Sequence, residues 1–148
     1  MSQAIDVLVI DPVDSDARKT IAAVRRKAPH ASTLRVSGGD QAERLMFDHG
    51  LFTADPQVPR LIIVDLAATG DSGKHTLRRL GDCELCEEVP IVVFSSTRSA
   101  EDILESHLLG AHMNIVKPTD PDDYSRAVER VVATWLTRGF QLRPAAAF

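Results

Sequence analysis

The apolar positions of the chain form two patterns that alternate along its length. Short, almost continuous apolar runs with β-branched residues have the length of buried strands and occupy residues 5–10, 34–36, 61–64 and 91–94, with a weaker fifth run at 113–116. Near-continuous runs of this kind are typical of strands that are covered on both faces. Segments with helical spacing lie between them and predict helices over residues 15–28, 40–50, 73–81, 99–110 and 119–136.

Residues at the predicted helix ends support this assignment. Asp40 and Glu43 have the spacing of a capping box at the start of the second helix, and Ser99 with Asp102 begins the fourth helix in the same way. Pro121 lies in the first turn of the last helix, where its missing amide costs no helical hydrogen bond.

Strand and helix alternate five times, which predicts an α/β fold: a doubly wound, five-stranded parallel sheet with flanking helices. The length of 148 residues suits one domain, and a hydrophobic content of 44% is enough for a real core. In such sheets the chemistry collects beyond the carboxyl ends of the strands.

Composition excludes several classes of function. A formal charge of −4 provides no basic field for a nucleic-acid backbone, so we expect no nucleic-acid partner. We also expect no membrane partner and a cytoplasmic protein, because the sequence has neither a long apolar run nor a basic leader. Cys83 and Cys86 form a CxxC pair, but no second pair or suitably spaced histidine completes a zinc site, and the role of this pair stays open.

Four chemically useful residues follow the ends of predicted strands. They are Asp11, Asp65, Ser95 and Lys117. Each of them alone is more often a loop cap or an exposed residue, but together they match the needs of phosphoryl transfer to a carboxylate. Asp65 would be the nucleophile, while Ser95 and Lys117 would hold the transferred group beside a divalent cation.

Rival sites fit the same stretch less well. The segment ATGDSGKH resembles a P-loop, but the motif requires glycine where Ala68 stands and serine or threonine where His75 stands. A phosphatase of the haloacid dehalogenase type requires acids two residues apart, whereas Asp11 and Asp14 are three apart. A small hydrolase lacks any pairing of a nucleophile with a base.

The order of Asp11, Asp65, Ser95 and the pair Lys117-Pro118 resembles the receiver domain of two-component response regulators, which has a flavodoxin-like fold. The resemblance implies that Asp65 accepts a phosphoryl group from a histidine kinase, which makes the chain a signalling module rather than an enzyme. It also implies a Mg²⁺ ion held by Asp11, Asp65 and the backbone carbonyl of Ala67. The residues from 89 onward resemble most closely the stand-alone receivers that partner phytochrome-type histidine kinases.

Two departures from the family pattern leave two functions open. The family normally has a second acid after strand one, where this chain has Pro12, and an aromatic switch residue paired with Ser95, where it has Asn114. We therefore expect weakened Mg²⁺ binding and altered coupling through Ser95 and Asn114. The alternative is a degenerate receiver that acts as a phosphorylation-independent module for protein interaction and dimerisation.

The chain divides into a receiver domain, residues 1–137, and a C-terminal tail, residues 138–148. So short a tail leads us to expect no separate output domain and an output by direct contact. The final helix and tail carry more apolar residues than one face of a sheet requires. Trp135, Leu136 and Phe140 are therefore the predicted interface of a homodimer.

Overall fold

The computed structural model describes residues 5–45, 59–96 and 99–137, without the side chains of residues 39, 67–73, 85 and 137. Within these ranges, five strands form one sheet: β1 (Val7–Ile10), β2 (Thr33–Val36), β3 (Leu61–Val64), β4 (Ile91–Ser95) and β5 (Met113–Val116). Every neighbouring pair is parallel, and the strand order is β2-β1-β3-β4-β5. This topology confirms the predicted doubly wound, flavodoxin-like sheet. Its central strands are the near-continuous apolar runs, as expected of strands that are covered on both faces.

The helices among the described residues that flank the sheet are α1 (Asp14–Lys27), α2 (Gly39–Glu43), α3 (Leu66–Asp82), α4 (Ala100–Leu108) and α5 (Pro121–Val132). A 3₁₀ turn covers Glu84–Cys86, and a π-helical turn over Ala133–Thr137 continues α5. None of the described helices is long and apolar enough to cross a membrane.

Helix ends agree with the sequence in two cases and differ in two others. The hydroxyl of Ser99 accepts the amide of Asp102, and the carboxylate of Asp120 caps α5 just before Pro121. The capping box at Asp40 is wrong, because α2 starts at Gly39 and its N-cap residue is Gly38. Helix α3 also begins at Leu66, seven residues before the predicted start at 73.

Alternate residues of the strands face two separate core clusters. On one face, Leu8, Ile10, Ile62 and Val64 pack with residues of α2 and α3, including Leu77. On the other face, Val7, Val9, Leu61 and Ile63 pack with α1 and α5 through Val24 and Val128, among others. The sheet is therefore buried on both faces, and polar groups can collect at the carboxyl ends of its strands.

Leu136 corrects one part of the predicted dimer interface. Its side chain is 3% exposed and belongs to the same core cluster as Val128 and Val132. Residues spaced by four share one face of a helix, so the turn after α5 carries Leu136 into the core. Trp135 is only partly buried against that cluster, and Phe140 lies outside the described residues.

Tyr124 joins α5 to α1 inside the second core cluster. Its hydroxyl donates to the carbonyl of Asp16 at 3.1 Å and lies 2.8 Å from the hydroxyl of Thr20, which must then donate to it. Its ring meets the ring of Phe94 edge-on, with centroids 4.9 Å apart. Burial raises the pKa of Tyr124 to about 12, so the hydroxyl stays protonated and keeps both hydrogen bonds at neutral pH.

Two glycines allow α3 to approach the end of α4 closely. A Cβ atom on Gly81 would lie 2.8 Å from the carbonyl oxygen of Leu109. Gly110, the next residue, has a φ of 117°, a left-handed conformation that favours glycine. The close approach fixes how α4 leads into β5.

Gly81→Ala is expected to lower the free energy of unfolding by about 1–3 kcal/mol, because the added methyl group would overpack against the Leu109 carbonyl. Glycine to alanine within a helix ordinarily stabilises by about 0.5–1 kcal/mol, so the sign of the change is the test. Urea unfolding of both proteins measures it.

Gly38→Ala is the matched control, since a Cβ atom there would meet none of the described residues within 4 Å. We expect it to change the unfolding free energy by less than about 1 kcal/mol. A stabilising Gly81→Ala change would contradict the close packing of α3 against Leu109.

Candidate functional site

The sheet brings together residues that are far apart in the sequence. Asp11, Asp65 and Lys117 directly follow β1, β3 and β5, and Ser95 is the last residue of β4. The pairing of β1 with β3 aligns Ile10 with Val64, so the next residues of the two strands are neighbours. All four polar residues are buried, and Lys117 is the most exposed of them at 8%.

The Lys117 ammonium is the centre of this cluster. It donates to Asp65 Oδ2 at 2.6 Å, to Asp11 Oδ2 at 2.8 Å and to Asp16 Oδ2 at 2.9 Å. A lysine ammonium has three N–H donors, so these carboxylates use its full hydrogen-bonding capacity. Two of the partners, Asp11 and Asp65, were predicted from their positions at strand ends.

Burial and charge act on this cluster in opposite directions. Burial disfavours an ionised Lys117, but its hydrogen bonds to Asp11, Asp16 and Asp65 outweigh this and raise its pKa. Burial also raises the pKa of Asp11, despite its hydrogen bond to Lys117. Burial opposes ionisation of Asp16 as well, but contacts with Lys117 and Lys19 hold its pKa below the ordinary value of 3.8.

The sign of each shift decides how the group contributes to stability. Because the pKa of Lys117 lies above 10.5, its contribution is complete below pH 10.5 and is lost as the pH rises through the folded-state pKa. Asp16 contributes stability at neutral pH, and this is lost as the pH falls through a folded-state pKa below 3.8.

Asp16 is the member of the cluster that sequence reasoning missed. It lies in the first turn of α1, where an acid is ordinarily a partner of the helix dipole. Its side chain instead reaches Lys117, while one oxygen also lies 3.2 Å from Lys19 Nζ. The only signal in the sequence was an acid five residues after Asp11.

The loop between β1 and α1 holds Asp11 in place. The amide of Val13 donates to Asp11 Oδ1 at 2.9 Å, and the guanidinium of Arg35 donates twice to the Asp11 carbonyl, at 3.1 and 3.0 Å. Arg35 also binds Asp14 at 3.1 Å. Asp14 is thus directed away from Lys117 and does not replace the carboxylate that Pro12 lacks.

Ser95 has a buried hydroxyl that lacks a hydrogen-bond partner within the described part of the chain. Its carbonyl accepts the amide of Lys117 at 2.7 Å, which fixes the two residues side by side. Its Oγ atom is fully buried and has no hydrogen-bond partner among the residues that the structure describes. An orphaned donor beside Lys117 suits an incoming phosphoryl oxygen.

Asn114 binds helix α4 rather than Ser95. Its side-chain amide donates to the Ser106 hydroxyl at 2.8 Å, and Ser106 donates in turn to the carbonyl of Ile103 at 2.7 Å. The side chain is therefore fixed between β5 and α4, where the family normally has an aromatic residue.

The donor set fits Mg²⁺ through two carboxylates. Asp11 and Asp65 each have an oxygen within 3 Å of the same Lys117 nitrogen, so their side chains converge. Magnesium retains several waters and needs only one or two protein carboxylates. Within the described part of the chain, no cluster of three or more acids, histidines and cysteines has the arrangement of a metal site.

The remaining predicted residues lie around this centre. Ala67 is in the first turn of α3, two residues after Asp65, in a segment whose side chains the structure does not describe. Cys83 and Cys86 are free thiols, and Cys86 is buried. Burial and contact with Cys83 raise the pKa of the Cys86 thiol, which disfavours the reactive thiolate.

Lys117→Met is expected to lower the free energy of unfolding by about 3–5 kcal/mol at about pH 7, because three carboxylates lose their shared cation. The loss should be smaller at about pH 5, since acids without this partner take up protons more readily. Urea unfolding at both pH values measures the difference.

Lys74→Met is the control, because Lys74 lies 3.3 Å from Glu105 but its side chain is 34% exposed. We expect it to cost less than about 1 kcal/mol. Equal losses in the two variants would contradict the central role of Lys117.

The chain is similar in sequence to several curated regulatory proteins. No protein-family model matches the chain. The two-component response regulator ORR5 of Oryza sativa subsp. japonica is 29% identical over 126 residues, which are 85% of this chain and 87% of that protein. The probable methanogenesis regulatory protein FilR2 of Methanothrix harundinacea is 26% identical over 79 residues, and the chain spans only 51% of its length.

Solved structures share the fold. The phosphorylated cyanobacterial phytochrome response regulator RcpA superposes with a TM-score of 0.83 at 20% identity, over 95% of this chain and 100% of that one. The Mn²⁺-bound form of response regulator Rcp1 gives 0.76 at 18% identity, over 94% and 99%. The solved structures show that the chain has this fold, and the curated relatives, together with the residues that meet at Lys117, make it similar to the response regulator receiver domains of two-component signalling.

Proposed function

We propose that this receiver accepts a phosphoryl group on Asp65 from a histidine kinase, in a phosphorelay. The observation that carries the proposal is the contact of Asp65 with Lys117 at 2.6 Å, beside a second acid at 2.8 Å from the same ammonium. Positioning and charge are the main requirements of phosphoryl transfer, so these groups do not need a deep substrate pocket. The domain would act as a signalling module rather than as a metabolic enzyme.

Asp65 would be the nucleophile of the transfer. One of its carboxylate oxygens forms a bond to phosphorus while the bond from phosphorus to the kinase's histidine nitrogen breaks. The imidazole leaves with the electron pair of that bond. Lys117 would then donate to a phosphoryl oxygen, and the orphaned hydroxyl of Ser95 would bind another.

Asp11 and Asp65 would hold a Mg²⁺ ion, with the backbone carbonyl of Ala67 as the third protein ligand. When bound, the ion would neutralise the negative charge that the phosphoryl group adds to an already acidic site. The Mn²⁺-bound form of the similar regulator Rcp1 supports a divalent cation in a receiver of this fold. Pro12 offers no further carboxylate, so we expect the affinity for Mg²⁺ to be low.

A phytochrome-type histidine kinase is the proposed donor. The support is the similarity of the fold to RcpA, a phosphorylated cyanobacterial phytochrome response regulator, over 95% of this chain. We propose a cytoplasmic protein with no nucleic-acid or membrane partner, which binds the kinase and a second copy of itself by direct contact.

A second function is favoured by the burial of Asp65. Its side chain is only 2% exposed and is already bound to Lys117, while Asn114 is fixed to Ser106 instead of acting as an aromatic switch. A receiver with these features would serve as a phosphorylation-independent module for protein interaction. The burial of Asp65 should also make its phosphorylation slow.

Incubation with acetyl phosphate and Mg²⁺ is expected to add one phosphoryl group slowly, as followed by intact mass spectrometry. Asp65→Asn should abolish the mass increase, because the amide is not a nucleophile. Asp14→Asn is the control with the same loss of charge, since the Asp14 side chain is 59% exposed and bound to Arg18 and Arg35.

Beryllofluoride with Mg²⁺ separates the two functions without covalent chemistry. Binding that depends on Asp65 would support the phosphorelay function. A chain that neither takes up the phosphoryl group nor binds beryllofluoride would overturn it and support the phosphorylation-independent module.

A homodimer through the C-terminal helix and tail is the third part of the proposal. Trp135 is only partly buried against the core and lies 6.2 Å, between ring centroids, from His112. Because large aromatic side chains dominate interface energies, Trp135→Ala should shift the chain towards monomer in sedimentation equilibrium. Leu104→Ala, which removes a 61% exposed side chain of α4, should leave the dimer unchanged. The opposite result would place the interface on α4.

A further inference from the structure

Asp16 reaches the pocket from an element that carries none of the other pocket acids. Asp11 and Asp65 follow strands, whereas Asp16 lies in the first turn of α1. Its Oδ2 atom accepts from Lys117 at 2.9 Å, and its side chain is 22% exposed, compared with 5% for Asp11 and 2% for Asp65. It is the most exposed of the three acids that bind Lys117.

Two contacts hold Asp16 in this position. The buried hydroxyl of Tyr124 donates to its backbone carbonyl at 3.1 Å, and Lys19 lies 3.2 Å from its second carboxylate oxygen. Lys19 also lies 4.5 Å from the centre of the Tyr124 ring. Asp16 is therefore anchored through both its backbone carbonyl and its side chain.

The geometry of the lysine explains why a third acid is useful. An ammonium has three N–H donors, of which Asp11 and Asp65 accept two. The residue next to Asp11 is Pro12, which has no acceptor side chain, and Asp14 is bound to Arg18 and Arg35 instead. Asp16 is the acceptor that satisfies the third N–H.

We propose that Asp16 is a positioning residue that holds Lys117 at the pocket during phosphoryl binding. The inference rests on the proposed function, because it concerns the moment at which Lys117 moves a hydrogen bond from Asp65 to a phosphoryl oxygen. Asp11 and Asp16 then keep the other two N–H groups fixed. Without Asp16 the ammonium retains one fixed partner, and the long lysine side chain regains rotational freedom that binding must remove.

Titration with beryllofluoride in the presence of Mg²⁺, followed by ¹⁹F NMR, tests the proposal. Asp16→Asn is expected to weaken beryllofluoride binding about tenfold, which corresponds to the loss of one hydrogen bond between charged groups. The affinity for Mn²⁺ alone, measured by calorimetry, should change less than about threefold, because Asp16 acts through Lys117. Asp16→Glu should restore part of the beryllofluoride affinity.

Asp14→Asn is the matched control, since it removes the same charge from the same helical turn without touching Lys117. Equal beryllofluoride affinities in the Asp14→Asn and Asp16→Asn proteins would overturn the inference, and so would a parallel loss of Mn²⁺ affinity in the latter. If the unmodified chain fails to bind beryllofluoride, the proposed function fails and the inference fails with it.

Tyr124→Phe provides a second variant if Asp16→Asn does not fold. It releases the Asp16 carbonyl but leaves every pocket carboxylate in place. We expect beryllofluoride binding to weaken about threefold, because Asp16 is then less firmly oriented. An unchanged affinity in a folded Tyr124→Phe protein would count against the anchoring of Asp16.

Discussion

A single buried ammonium, that of Lys117, organises the carboxyl edge of the sheet. The carboxylates of Asp11, Asp16 and Asp65 all lie within 3 Å of it, and these residues follow β1, belong to α1 and follow β3, respectively. Removing these charges from water is costly, and only close pairing with complete hydrogen bonding offsets that cost. The ends of β1, β3 and β5 and the start of α1 are thereby held in one arrangement.

This arrangement has consequences for both stability and reactivity. The contact that places Lys117 beside Asp65 also engages Oδ2 of the carboxylate that is the proposed acceptor of the phosphoryl group. Because the side chain of this proposed acceptor is only 2% exposed, we expect it to react only when the surrounding groups move. The pocket therefore combines a well-organised set of charges with restricted access, which explains why both slow phosphorylation and phosphorylation-independent binding are compatible with it.

The central strands β1, β3 and β4 were predictable from the sequence because their apolar runs are continuous up to the carboxyl ends, where Asp11, Asp65 and Ser95 stand. Other features depend on tertiary contacts that no local pattern encodes. Glu43 fits a capping box, yet its carboxylate binds His75, Thr76 and Arg79 of α3 at 2.9, 3.0 and 2.9 Å. Leu136 looked like surplus apolar surface, but the turn after α5 carries it into the core.

Asp16 shows the same limit within the site itself. An acid in the first turn of a helix is adequately explained by the helix dipole, so nothing in the local sequence pointed to Lys117. Its position depends on the packing of α1 against α5, where Tyr124 binds its carbonyl. The departure at Pro12 was visible in the sequence, whereas the residue that satisfies Lys117 in spite of it was visible only in three dimensions.

The hydrogen bonding of the Lys117 ammonium is the property that tests the three-carboxylate arrangement most directly. In ¹⁵N-edited NMR at neutral pH, three carboxylate acceptors predict a protected Lys117 signal whose protons exchange slowly with water. That signal should shift on addition of beryllofluoride and Mg²⁺. A Lys117 signal that exchanges as fast as those of exposed lysines would contradict the three-carboxylate arrangement.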